Sequence, residues 1–558
     1  MAKTYKGRQV FMETLIAEGV EYIFGNPGTT ESPMLDALLD YPQIKYVLAL
    51  HEAVATIMAD AYAQVSRKVG VVSLHTAPGL GNGLGAVYNA WEGGSPLIVT
   101  AGALDTRLRL REPLLGHDLV AMAAPLTKWS VQIDHADEAA LVMSRAFKTV
   151  REAPSGPVFV SLPLNVLEQE TAIGPFTPSR LFSAASPDPA GVSEAAQLLL
   201  DAKRPLIFCG DKVADAGAVH ELTALAELLG AAVYNEVLPS RLNIPNMHPH
   251  YRDRGANDQA SLRRLVGDAD AVLLVGGEFF EELWYSPASP FPEETVLIQI
   301  DPAPRNVARN YSVHCGLIGD VKAGLQALHD ELSERAGKKF QQAAAQRREA
   351  LGALKEQERE RQQARLKEGW DSSPMSTARL MAEIRDAVPE GVAVVHEAIT
   401  AAADLTRTLS FANETDYLAS RGGGIGQGLP GGIGYKLAFP ERPVLCISGD
   451  GSSLYTIQAL WTAAHHKIPV VFVILNNRVY RILKINMSRF RSEFGLGGER
   501  AFPHMDLTDP DLDYVSLAAG FGMAAKAVRR AEEVGPAVRE AFASGKPYLL
   551  DVLIDGRV

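Results

Sequence analysis

Short apolar runs that end in glycine- or proline-marked loops recur along this chain, with helical patterns between them. In residues 1–180 the runs are YIFGNPG, YVLAL, VGVVSLH, PLIVTAG and GPVFVSLP. Such alternation predicts a parallel sheet with helices on both faces. Residues 181–190, LFSAASPDPA, are small, polar and proline-bearing and read as a linker. A second α/β block follows, with PLIFCG, AAVYNE, AVLLVGG and TVLIQIDP as strands. Residues 331–368 are dense in Lys, Arg, Glu and Gln and predict a solvated helix. From about residue 372 a third block carries VAVVHE, VLCISGD, VVFVILNN and YLLDVLI as strands. The predicted architecture is α/β: three doubly wound parallel-sheet domains over 1–182, 190–335 and 372–558, with a charged helical linker over 336–371.

Bulk properties narrow the class. A chain of 558 residues exceeds what one core usually serves. The net charge of −12, from 54 basic and 66 acidic residues, argues against nucleic acid or an anionic membrane as partner. The three cysteines, Cys209, Cys315 and Cys446, show no ligand spacing and read as small core residues. A reducing, cytoplasmic setting fits. The N-terminal MAKTYKGRQVFMETL lacks the apolar stretch of a signal peptide, and no run of about 18 apolar residues predicts a membrane span.

The densest chemistry lies in the third block. Asp450 ends the strand VLCISGD, and the pair Asn476-Asn477 ends VVFVILNN, with Asn477 27 residues beyond Asp450. YTIQALWTAAHHKIP between them reads as a helix, so the segment is one βαβ unit presenting both groups at one sheet edge. An Asp and an Asn supply hard oxygen ligands for magnesium or calcium, and the flanking glycines let backbone approach a phosphate. This predicts a metal–diphosphate anchor. GDGS, an intervening helix and a strand ending in NN resemble the fingerprint of thiamine diphosphate enzymes. The three blocks then match that family's pyrimidine-binding, central and diphosphate-binding domains.

The resemblance carries roles onto particular positions. Asp450, the Asn477 side chain and the Val479 carbonyl match the Mg2+ ligands (Ca2+ is an alternative). Thr400, Gly451, Ser452 and Tyr480 match residues that touch the diphosphate. Gly423, in RGGGIGQGLPGGIG, matches the carbonyl that receives the cofactor's 4′-amino group, and Ile425 matches the wedge that bends the cofactor. Glu52, just after YVLAL, matches the carboxyl beside the aminopyrimidine N1′; its structural alternative is a glutamate favoured by a helix N-terminus. His75 ends the strand VGVVSL and suits proton transfer. His51, His465 and His466 read as structural. Glycines 426, 428 and 431 fit GxGxxG, a weak dinucleotide signal spoiled by Pro430.

Within the family, FGNPGTTE, YVLALHEA, SPLIVTAG, LTKWS and SLYTIQALWTAA look most like benzoylformate decarboxylases. That resemblance implies decarboxylation of an aryl 2-oxo acid to an aldehyde by a homotetramer, or at least a homodimer with sites between subunits. The departures matter. The serine after GNPG is Thr29, and the central-block histidine falls on Leu283, with no histidine anywhere in 251–313. Ile482, before Leu483, replaces a small apolar residue, and Leu114-Leu115 stand where pyruvate decarboxylases carry two histidines. Leu114, Leu115, Leu283, Ile482 and Leu483 are therefore candidates for the substrate pocket. No sequence feature decides whether the central block binds FAD, as in acetolactate synthases. The leading expectation is a thiamine diphosphate- and Mg2+-dependent decarboxylase of an aromatic or bulky 2-oxo acid. A carboligase or 2-hydroxyacyl-CoA lyase acting on aldehydes is the alternative, and an inactive cofactor-binding paralogue a third reading.

Overall fold

The computed structural model describes residues 3–182, 184–279, 283–287, 289–496, 498 and 500–558. Its frame is three six-stranded parallel sheets, each flanked by helices. The first runs in the order 45–48, 22–25, 70–75, 97–103, 158–163, 130–132. The central sheet runs 251–254, 232–235, 205–209, 271–275, 296–301, 315–318. The third runs 417–419, 393–397, 444–449, 471–476, 548–553, 524–528. In each, the chain starts at an inner strand, winds to one edge and returns to the other. This is the doubly wound topology, with a reversal of strand order near the middle. Helices cover both faces, so the inner strands are mostly apolar: Val158–Pro163, Ala271–Val275 and Val471–Asn476 are buried at every position.

Two compact units result. One comprises Met1–Leu181, Asp371–Leu405 and Ser420–Val558; the other comprises Phe182–Trp370 and Thr406–Ala419. In the first unit the helix Glu52–Ser66 lies against the glycine-rich helix Gly428–Ala438. Their backbones meet: a Cβ at Gly434 would come within 2.2 Å of the Met58 carbonyl oxygen, and one at Gly431 within 4.0 Å of Ala61 Cβ. Ala61 lies within 3.1 Å of a Cβ at Gly434 as well, so the helices cross there. Glu52 lies beside Gly79, Gln64 beside Gly93 and Glu92 beside Gly422, so the loop that opens Gly428–Ala438 sits at the C-terminal end of Glu52–Ser66 and the two helices run antiparallel.

The second unit packs around Leu199, Ile207, Leu273 and Leu328. Its charged helix spans Lys338–Glu368. The helix is tied down: Ala344 and Leu351 are buried, and Arg347 donates to the Leu229 carbonyl from Nε at 3.1 Å and Nη2 at 2.6 Å. Among the described residues, no helix is long and apolar enough to cross a membrane.

Candidate active site

In the first sheet the strand order reverses between Tyr22–Gly25 and Gly70–His75. A parallel sheet offers its ligand crevice at such a point. Glu31, which carries no motif of its own, sits there at 3% exposure. Its carboxylate accepts from the backbone N–H of Gly28 at 2.8 Å and of Gly102 at 2.9 Å, and from the Thr30 hydroxyl at 2.8 Å. His75 Nδ1 lies 2.9 Å from the same carboxylate and 3.1 Å from Thr30 Oγ1. An ionised carboxylate only accepts, so this network assigns the proton to Nδ1 and leaves Nε2 for exchange. Two glycines make the approach possible: a Cβ on Gly28 would fall 2.1 Å from His75 Nδ1, and one on Gly102 2.1 Å from Glu31 Oε1. Thr29 is exposed, and it is Thr30, 1% exposed, that meets His75.

Glu52 opens the helix Glu52–Ser66 and is 7% exposed. It accepts from Asn82 Nδ2 at 3.1 Å and Asn26 Nδ2 at 3.4 Å, with Gly79 clearing the space beside it. His51 caps this helix, its Nδ1 accepting the Ala53 N–H at 3.1 Å. His466 Nε2 accepts the Leu48 N–H at 2.9 Å, and burial lowers its pKa, which favours the neutral acceptor. His465 stacks on Trp461 at 4.5 Å. These three histidines hold structure.

In the third sheet the order reverses between Ala393–Glu397 and Val444–Gly449. Asp450 follows the second of these strands and is 4% exposed. Its Oδ1 accepts from Gly451 N at 2.8 Å; its Oδ2 accepts from Asn477 N at 3.0 Å and Arg478 N at 2.6 Å. Burial pushes the Asp450 pKa up to about 6 against the pull of those amides. A buried carboxylate so placed gains from a cation beside it. Asn477 Oδ1 accepts the Val479 N–H at 3.0 Å, which bends the chain back toward Asp450. Asn476 is different: it is buried and donates to Asp551 at 2.9 Å. The Tyr480 ring lies over Gly451, where a Cβ would come within 2.3 Å of it. Ser452 and Thr400 are half-buried at the ends of the two strands flanking the reversal.

One carboxylate, one carboxamide and one carbonyl suit a hard divalent cation, and the glycine cradle beneath Tyr480 suits a diphosphate. No group of three or more His, Cys, Asp or Glu able to hold a metal occurs among the described residues.

The glycine loop before the helix Gly428–Ala438 has left-handed backbone at Gly422 and Gly423, φ 78° and 81°. Asn89 pins it, accepting from Gly424 N and donating to the Gly424 carbonyl, both at 3.2 Å. Beneath it Glu397, 2% exposed, accepts from Gly426 N at 2.7 Å and Gly428 N at 2.9 Å. Burial raises the Glu397 pKa to about 7. Gly423 is exposed and Ile425 half-buried.

Glu52 and this loop are not together in one copy of the chain. Along the helix Thr76–Glu92, Asn82 touches Glu52 and Asn89 holds the loop, a separation of about 10 Å at 1.5 Å per residue. Along the antiparallel pair, Ala61 faces Gly431 while Glu52 lies about 13 Å away. The candidate pocket residues are exposed: Leu114 at 86%, Leu115 at 39%, Leu483 at 44% and, in the second unit, Leu283 at 67%. Ile482 and Leu483 lie on the helix Arg481–Glu493, which buries no side chain. Arg478 pairs with Asp511 at 3.3 Å and Arg481 donates to the Arg557 carbonyl at 2.9 Å.

Comparison with known proteins identifies the family. Models of the thiamine pyrophosphate enzymes match in three parts: the N-terminal TPP binding domain over 5–122, the central domain over 192–328 and the C-terminal TPP binding domain over 400–552. A benzoylformate decarboxylase of Pseudomonas aeruginosa is 31% identical over 544 residues, 97% of each chain. An acetolactate synthase isozyme 3 large subunit of Escherichia coli is 26% identical over 577 residues, 99% of this chain and 95% of that one. The solved 4-hydroxybenzoylformate decarboxylase of Rhodococcus jostii superposes with a TM-score of 0.85 at 29% identity, covering 99% of both chains.

Proposed function

The chain belongs to the thiamine pyrophosphate enzyme family, and from that premise we propose that it performs the Mg2+-dependent, non-oxidative decarboxylation of an aromatic or bulky 2-oxo acid to an aldehyde. The observation that carries the reading is His75, fixed by Glu31 and Thr30 at the crevice of the first sheet and ready to pass a proton through Nε2. When bound, thiamine diphosphate supplies a carbon nucleophile and an electron sink.

The chain's own groups do the rest. Asp450, the Asn477 carboxamide and the Val479 carbonyl hold the cation. Gly451, Ser452, Thr400 and Tyr480 hold the diphosphate, and the Gly423 carbonyl and Ile425 orient the aminopyrimidine. Glu52 holds a proton at the pyrimidine N1′. His75, held by Glu31 and Thr30, exchanges a proton with the substrate's carbonyl oxygen, and the exposed Thr29 offers its hydroxyl to the substrate. Leu114, Leu115, Ile482 and Leu483 line an apolar acyl site. Because Glu52 and the glycine loop lie at opposite ends of one helix pair, a working site takes Glu52 from one copy and the anchor from another. The assembly is then at least a homodimer, and a homotetramer by resemblance.

A second reading has its own support. Leu283 cannot move a proton, the segment 251–313 holds no histidine, and acetolactate synthases are among the relatives. Slow protonation would let a second electrophile react, making the enzyme a carboligase or lyase. The test incubates the protein with thiamine diphosphate, Mg2+ and a panel of 2-oxo acids including benzoylformate, following CO2, aldehyde and chiral 2-hydroxyketones. Aldehyde and CO2 support the decarboxylase; inert 2-oxo acids with turnover of aldehyde pairs or 2-hydroxyacyl-CoA reject it. In the same assay Glu52→Gln abolishes turnover with diphosphate affinity nearly unchanged, and undiminished activity rejects the role of Glu52.

A further inference from the structure

The central sheet repeats the topology of the other two, and its order reverses between Pro205–Cys209 and Ala271–Val275. A doubly wound sheet admits a nucleotide there, with phosphates on the backbone N–H groups that follow the two strands. Here those amides are taken. Glu236, at 1% exposure, accepts the Asp211 N–H through Oε1 at 2.9 Å and the Glu278 N–H through Oε2 at 2.8 Å. One carboxylate therefore bridges the ends of both strands, as a ligand phosphate would.

The fit is close on every side. A Cβ on Gly210 would lie 2.3 Å from Gly277 Cα and 2.9 Å from Glu236 Cδ. The loop that carries Glu236 is locked by Asp211, which accepts from Ser240 N at 2.9 Å, Ser240 Oγ at 2.5 Å, Arg241 N at 3.1 Å and Asn243 Nδ2 at 3.2 Å. The cations that could greet a phosphate already face acids: Lys212 meets Asp301 at 3.0 Å and Glu278 at 3.5 Å, and Arg309 meets Glu278 at 2.7 Å. Beside the plug, Glu278, Gln299, Asn306 and Arg309 leave a cavity of about 10 Å³, space for at most one water.

We propose that Glu236 is a built-in anion that closes the nucleotide crevice of the central sheet, so that this domain takes neither FAD nor another phosphate-bearing nucleotide. The carboxylate supplies at no cost in assembly what a phosphate would have to displace, and the surrounding acids repel a second anion. The inference stands on the central sheet alone and is independent of the reaction assigned to the enzyme.

The test uses the full-length enzyme loaded with thiamine diphosphate and Mg2+, so that the diphosphate site cannot bind the probes. FAD is followed by fluorescence anisotropy and ADP by calorimetry. The wild-type protein is expected to show no saturable binding of either up to about 1 mM, and Glu236→Gln, which keeps the plug's bulk but can accept from only one of the two amides, to bind ADP more tightly than wild type and less tightly than Glu236→Ala. Glu236→Ala exposes both amides and is expected to bind ADP at one per chain, at least tenfold more tightly than wild type, with turnover unchanged. Stoichiometric binding of FAD or ADP by the wild-type protein overturns the proposal. So does a folded Glu236→Ala protein that binds no better. If that variant does not fold, the wild-type and Glu236→Gln titrations decide.

Discussion

Gly28→Ala isolates what the His75 position is worth. Gly28 has φ −135° and ψ −166°, extended backbone that alanine adopts freely, so the variant carries no backbone strain. Its Cβ, however, falls 2.1, 2.2 and 2.4 Å from Nδ1, Cγ and Cε1 of His75. Carbon contacts settle at about 3.5 Å, so the ring must retreat by about 1.4 Å. That opens the 2.9 Å contact with Glu31 to roughly 4 Å, beyond hydrogen-bond range. Glu31 keeps the Gly102 N–H and the Thr30 hydroxyl but loses a partner in a buried site, at about 1–3 kcal/mol. A misplacement of this size costs about 100-fold in rate. The expected outcome is a folded protein, about 2 kcal/mol less stable in a denaturant titration, with kcat down about two orders of magnitude and thiamine diphosphate affinity within about twofold of wild type. Gly81→Ala serves as control: it lies in the helix Thr76–Glu92 with no atom within 4 Å of its would-be Cβ, and should keep activity while gaining about 0.5–1 kcal/mol. A Gly28→Ala enzyme with kcat within threefold of wild type would refute the argument that Glu31-anchored His75 moves the proton.

Glu31→Gln keeps the size but loses acceptor capacity against two backbone donors, so kcat should fall about 10- to 100-fold with a smaller change in KM; a change confined to KM points elsewhere. Gly434→Ala drives a Cβ to 2.2 Å from the Met58 carbonyl and should cost about 2 kcal/mol or more, read as a lowered Tm; an unchanged Tm rejects the close helix contact. Glu397 is raised from 4.5 to about 7, so the folded state retains a proton that the unfolded state has lost between those values. Its contribution is full below about pH 4.5 and is lost as pH rises through about 7, at about 1.4 kcal/mol per unit. Stability of the wild type relative to Glu397→Gln should therefore decline across that window in paired urea titrations. A flat difference overturns the burial argument.

The inner strands were legible because helices cover both faces of a parallel sheet, which forces continuous apolar runs such as VFVILN and AVLLV. Of the edge strands, Lys45–Leu48 was legible in YVLAL, but three others were not. Ser130–Gln132, Tyr251–Arg254 and Ala524–Val528 read SVQ, YRDR and AAKAV, with side chains largely half-exposed, and nothing in their pattern separates them from loop. The juxtaposition of Asp450 and Asn477 was legible for a related reason: each follows an apolar run of one βαβ unit, and the Asn477 N–H donates to Asp450 across the helix between them. Glu31 was invisible because its four partners come from Gly28, Thr30, His75 and Gly102, brought together only when the sheet closes. Glu236 and Glu397 share that origin. Each is a carboxylate whose donors lie on strands or loops distant in sequence. The resemblance named Thr29; the adjacent Thr30, whose hydroxyl meets His75, carried no signal in the sequence.

The antiparallel seating of Glu52–Ser66 on Gly428–Ala438 sets a rule of inheritance as well as a distance. With Glu52 and the glycine loop at opposite ends of one helix pair, the proposed site draws on two copies of the chain, so a lesion in one need not condemn the other. Subunits carrying Glu52→Gln and subunits carrying Asp450→Ala, each dead alone, should recover about a quarter of wild-type activity when unfolded and reassembled together, because half the random dimers are mixed and each has one intact site. Two defective alleles would then make one working enzyme.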